Sequence, residues 1–248
     1  MNLSSILERS AVPSLASDRP RPWFNFNAAA PRVTALVLYA VAMAYVESAA
    51  VLYLRTIYGG VDPVGPRHSP FDPLPDFVLI ELGREAATLV MLGAVGYLAA
   101  TSAIGRIGAF AVAMGVWDIF YYVFLWVFAG WPASLLAPDI LFLIPLPWWG
   151  PVLSPVLGAL LIVAVGAGAM ARELGDGVPA LRPQELLAIL LGVAVCLTAF
   201  MASSLSALPG GLEAAFSARG GPFPWPIYLL GFGIGSFGLV RALTRVAS

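Results

Sequence analysis

The stretch from Ile107 to Gly130, IGAFAVAMGVWDIFYYVFLWVFAG, contains a single charged residue, Asp118. A helix of about 20 mostly apolar residues spans the hydrocarbon core of a bilayer, and this run exceeds that length. It decides the fold class, and the same pattern recurs on both sides of it. Apolar stretches at about 32–57, 77–100, 151–171, 184–207 and 226–243 also qualify. Composition agrees. The 248 residues are 60% hydrophobic and 11% charged, against about 25% charged in soluble domains, and the mean hydropathy is +0.87. The expected fold is all-α: a polytopic transmembrane helix bundle of about six spans. It forms one membrane domain over residues 32–248, behind a tail of residues 1–31.

Between the third and fourth spans lies Trp131 to Gly150, apolar but cut by Pro132, Pro138, Pro145 and Pro147. Its uninterrupted core, Asp139 to Ile144, is too short to cross a bilayer. Unpaired backbone cannot face lipid, so a short re-entrant or interfacial segment is expected, anchored by Trp148 and Trp149 at the headgroup level. The tail carries Glu8, Asp18 and scattered prolines, unlike a secretory signal. Leu3, Ile6 and Leu7 share a helical face, and Trp23, Phe24 and Phe26 follow. These fit a cytoplasmic tail with an interfacial aromatic anchor or, equally, a disordered tail.

Arginine placement sets the orientation. With six spans, one side holds Arg9, Arg19, Arg21, Arg32, Arg106, Arg172, Arg182, Arg241 and Arg245; the other holds Arg55, Arg67 and Arg219. The positive-inside rule then places both termini in the cytoplasm, in a bacterial-type inner membrane. The 58–76 loop and the 131–150 segment face outward.

Rare residues narrow the chemistry. All 13 basic residues are arginine, so no lysine is present for a retinal or pyridoxal phosphate (PLP) Schiff base. One histidine, His68, rules out bis-histidine haem within the chain. One cysteine, Cys196, rules out internal disulfides and Cys-based metal clusters, and its apolar run suits simple packing. A net charge of −1 without a basic stripe gives no sign of nucleic-acid binding. His68 stands among Asp62, Asp72 and Asp76 in a proline-rich loop, a spacing that matches no tight ligand motif. Gly231, Gly235 and Gly238, with Ala188 and Gly192, form small-residue seams for close helix packing inside the chain or in a homo-oligomer.

The informative charges lie inside spans: Glu47 in the first, Glu81, Arg84 and Glu85 in the second, and Asp118 in the third. Each costs about 2.5–3.5 kcal/mol at mid-membrane on insertion scales, so each needs a partner or a wet cavity. At 1.5 Å per residue, Glu47 and Glu85 sit roughly 5 Å outward of the midplane and Asp118 near it. Glu81, Glu85 and Thr88 share one face with Arg84 beside them; Asp118 shares a face with Tyr121 and Tyr122, bordered by Trp117. Arg55 lies two turns beyond Glu47, and Asp139 is available from the outward segment. This defines a candidate ion- or substrate-binding set of Glu47, Arg55, Glu81, Arg84, Glu85, Asp118, Tyr121, Tyr122 and Asp139.

Five acids against two arginines leave three negative charges over. Protonation of buried carboxyls, a divalent cation held by Glu47, Glu85 and Asp118, or an outward-open cavity for a cationic or polar solute would each answer this. Plainer readings stand beside them: Arg84 fixing helix register through Glu81 and Glu85, Asp118 bonded to a tyrosine, and Asp139 as an N-cap after Pro138. An anion held by Arg55 and Arg84 is also open. Three functions follow. The leading one is a small transporter or channel-like protein for a cation, proton or small polar solute. The others are a membrane-embedded enzyme on a lipid-like substrate, using carboxylates with or without a metal, and a non-catalytic subunit of a larger membrane complex.

Overall fold

The computed structural model describes residues 22–57, 75–176, 180–218 and 220–245. His68, Asp62, Asp72, Arg67, Arg219 and the Leu3–Leu7 face lie outside these residues. In chain order the elements are α1 (Phe26–Ile57), α2 (Pro75–Ala99), α3 (Ala103–Ala129), β1 (Pro138–Phe142), β2 (Trp148–Pro151), α4 (Leu153–Glu173), α5 (Pro183–Phe200), α6 (Ala202–Ala207), a 3-10 turn (Leu208–Gly210), α7 (Leu212–Phe216) and α8 (Trp225–Thr244). Among the described residues five helices, α1, α3, α4, α5 and α8, are long and apolar enough to cross a membrane. They mark an integral membrane protein built as a helical bundle. The helix at the expected second span, α2, is 25 residues long but is not one of these five; Glu81, Arg84 and Glu85 interrupt its apolar character.

Local chemistry sets the helix ends. Asn25 Oδ1 accepts the Ala28 N–H at 3.1 Å, which starts α1 ahead of the expected residue 32. Ser102 accepts the Gly105 N–H at the start of α3, and Gly130 closes it at φ 67°, a left-handed conformation that glycine adopts without a Cβ penalty. Pro183 opens α5, and Glu185 reaches back to the Arg182 N–H at 2.9 Å. The expected fifth span ran on to residue 207, but α5 stops at Phe200. Beyond it the serines bond elsewhere: Ser206 to the Ser203 carbonyl at 2.7 Å and Ser204 to the Pro147 carbonyl at 2.8 Å. Such side-chain bonds compete with helix continuation.

Small residues bring the helices together. Leu36, Ala40 and Ala44 of α1 repeat every four residues and pack on Ala109, Val112, Ala113 and Val116 of α3 and Leu92 of α2. Gly108 faces the Gly166 carbonyl across α3 and α4, and Gly192 of α5 lies against Gly231 and Gly235 of α8. The glycine seams therefore serve intrachain packing, as one of the two sequence readings held. Leu38, Val90, Leu98, Leu187 and Leu230 point outward and exposed, the apolar exterior that lipid requires.

Residues 131–150 contain an antiparallel hairpin, with Asp139 opposite Gly150 and Ile140 opposite Trp149. Pro145 and Pro147 remove N–H donors that a helix would need, while two short strands satisfy their backbone groups on each other. Asp139 is thus a strand residue and caps no helix. Trp148 stacks on Phe200 at 5.9 Å, docking the hairpin onto the end of α5. Of the tail's aromatics, Phe24 packs against the main core with the Arg172 guanidinium 5.4 Å above its ring, while Trp23 and Phe26 are exposed.

Candidate functional site

Three helices and the hairpin enclose a polar chamber of about 50 Å³. It is lined by Glu47 and Val51 of α1, Arg84, Glu85 and Thr88 of α2, Trp117, Asp118, Tyr121 and Tyr122 of α3, and Ile140, Leu141 and Phe142 of β1. Helical spacing explains the convergence. Glu47 continues the buried stripe of Leu36, Ala40 and Ala44, so it emerges on the face turned toward α2 and α3. Asp118 is flanked on the inner face of α3 by Trp117 and by the two tyrosines one turn on.

Two polar networks hold the chamber. In the first, Arg84 forms ion pairs with Glu47 and with Glu81, the latter at 2.7 Å. Thr88 donates to Glu47 at 3.4 Å. In the second, Arg55 pairs with Asp139 at 2.7 Å, the Tyr122 hydroxyl donates to Asp139 at 3.2 Å, and the Arg55 guanidinium lies 4.5 Å over the Trp131 ring. Asp139 is fully buried. Burial raises its carboxyl above the usual range, and the Arg55 guanidinium offsets only part of that rise.

Glu85 stands between the networks and accepts the Leu143 N–H of the hairpin at 3.0 Å. Asp118 accepts no hydrogen bond and forms no ion pair among the described residues. Two of the plainer sequence readings are therefore corrected, the first only in part. Arg84 pairs with Glu81 as expected, but its second partner is Glu47, not Glu85, because Glu85 is turned toward the hairpin. The tyrosine hydroxyl expected on Asp118 is spent on Asp139, which the hairpin carries closer to Tyr122.

All nine residues singled out in the sequence fall in or beside this chamber. Sequence reasoning did not find Ser48, whose Oγ bonds the Ala44 and Tyr121 carbonyls at 2.7 and 3.0 Å and ties α1 to α3. Nor did it find Trp131 under Arg55 or the Leu143 amide on Glu85. Ser48 adjoins Glu47, which was a usable signal; the other two depend on where the hairpin folds back. Among the described residues no three acid, histidine or cysteine side chains converge as a metal-binding group. Glu47 is drawn toward Arg84 and Glu85 toward Leu143.

A further polar cluster sits at the opposite end of the bundle. Arg172, only 1% exposed, donates to the Leu243 and Arg245 carbonyls at 2.9 and 3.0 Å. Arg245 pairs with Glu185 at 3.0 Å. The sequence reading gave these arginines only a topological role, yet they also fasten α4, α5 and α8 together. The exposed ends of the spans concealed this, since a terminal charge reads as solvated.

Comparison with protein-family models, with curated proteins and with solved structures finds no match to this chain.

Proposed function

We propose that the protein is a small transporter or channel-like protein whose α1–α3 chamber binds a cation, a proton or a small polar solute. In this reading α2 also crosses the bilayer, giving six spans in an inner membrane with both termini in the cytoplasm, and the hairpin covers the chamber on the outer side. The observation that carries it is the enclosure of Glu47, Glu85 and Asp118 in one cavity, two of whose three helices, α1 and α3, are long and apolar enough to cross a membrane. Intramembrane carboxylates facing a cavity are the usual mark of ion and proton pathways. Asp118 and Glu85 take up and release the ligand; Arg84 holds Glu47 and Glu81 in place; Arg55, Asp139 and Tyr122 hold the cover.

Reconstitution into liposomes tests it. Under an imposed pH gradient and membrane potential, wild-type protein should carry charge or protons faster than empty vesicles, read by a trapped pH dye and a potential-sensitive dye. Glu85→Gln and Asp118→Asn should each bring the rate down at least tenfold. Flux indistinguishable from wild type in both variants removes the reading.

A further inference from the structure

The chamber holds three carboxylates, Glu47, Glu85 and Asp118, against one guanidinium, Arg84, so two negative charges are unbalanced when all are ionised. They are not equally engaged. Glu47 is held by Arg84 and Thr88, and Glu85 has one oxygen on the Leu143 amide. Asp118 has no hydrogen bond or ion pair among the described residues. Beside it Trp117, only 8% exposed, has a buried indole N–H without a partner. A partly buried carboxylate without a protein partner and a buried, unsatisfied donor thus line one small void, where an unmade hydrogen bond is costly.

We infer that the chamber binds one small monovalent inorganic cation, of the size of Na⁺ or K⁺, with Asp118 and the second oxygen of Glu85 as its protein ligands. Water on the ion accepts from the Trp117 indole. Three observations select this class. About 50 Å³ leaves room for an ion and a few waters, since a cavity of about 10–15 Å³ already holds one water, and excludes an organic cation of any bulk. Ca²⁺ requires a denser oxygen cage, and no three ligating side chains converge here among the described residues; Mg²⁺ demands a near-ideal octahedral shell completed by several waters, and competition separates it from a monovalent ion. An anion would have to displace Glu47 and Glu81 from Arg84, or Asp139 from Arg55. The role of the ion as carried or coupling species rests on the transport reading; its binding does not.

Equilibrium binding of radioactive Na⁺ to the purified full-length protein at pH 7.5, with competing salts, tests the inference. One saturable Na⁺ per chain is expected, displaced by K⁺ or Li⁺ but not by choline at equal ionic strength. Saturating Na⁺ should raise Tm by several degrees relative to choline, because a ligand that binds only the folded state stabilises it. Asp118→Asn should weaken binding at least tenfold and remove the Tm shift. Glu213→Gln, an exposed carboxylate in α7, should leave both unchanged. Absence of saturable Na⁺ or K⁺ binding to folded wild-type protein overturns the inference, as does tighter binding of Mg²⁺ or Ca²⁺. Proton flux with no ion dependence overturns it while leaving the transport reading intact. Ion binding without flux does the reverse.

Discussion

Gly192→Ala should destabilise the protein by about 2 kcal/mol, while Gly233→Ala, nearby on the partner helix, should change stability by less than about 1 kcal/mol. The two substitutions add the same methyl group to apolar helices. At Gly192 a Cβ would stand 2.7 Å from the Gly231 carbonyl oxygen and collide with the backbone of Gly235. Both obstacles are main chain, so α5 and α8 must move apart along their whole seam. At Gly233 a Cβ meets nothing within 4 Å, and alanine is the better helix former. Gly192→Leu should go further and prevent stable pairing of α5 with α8. Thermal unfolding in detergent, followed by a thiol-reactive dye on Cys196, reads the difference directly. Cys196 suits this because its backbone N–H and Sγ lie against Gly231 at that same seam. Equal effects of the two alanines would mean that this seam is not the contact that joins the helices.

The second large effect is expected at Arg84. Its side chain is only a quarter exposed and pairs with Glu47 and Glu81 together. Arg84→Met should cost about 3 kcal/mol, because removing one partner leaves uncompensated buried charge. Lysine should restore only part of this loss, since one ammonium cannot reproduce the two-sided guanidinium contact. The triple variant Glu47→Gln, Glu81→Gln, Arg84→Met removes charge on both sides and should regain most of the stability. Coupling of this kind is expected among residues of one network. Recovery by the triple variant would assign the network to stability; a triple variant as unstable as Arg84→Met alone would deny that the three side chains act as a unit.

The bundle was legible because lipid imposes a strong constraint: long apolar runs such as Ile107–Gly130 have no other stable use. The candidate site was legible for the related reason that Glu47, Glu85 and Asp118 are expensive where they stand. Helical periodicity then aimed them at one another. The hairpin was not legible in the same way. Residues 138–151 are apolar on both faces and broken by proline, so neither a two-residue nor a 3.6-residue period marks them. Its position decides the finer site geometry, because it brings Asp139 to Arg55 and Tyr122 and the Leu143 amide to Glu85. The inward-drawn arginines were hidden too. Arg172 reads as a flanking charge, and only the return of α8 to its side supplies the carbonyls that bury it.

In the transport reading the chamber carboxylates are reachable from the membrane and carry the function. Dicyclohexylcarbodiimide, an apolar reagent that adds to protonated carboxyls in low-dielectric surroundings, tests both halves in one measurement. After treatment of reconstituted protein at mildly acidic pH, peptide mass spectrometry should find the adduct on Asp118 or Glu85, with flux falling in proportion to the modified fraction. Full modification of these residues with undiminished flux would contradict the account, and so would loss of flux with both carboxyls unmodified.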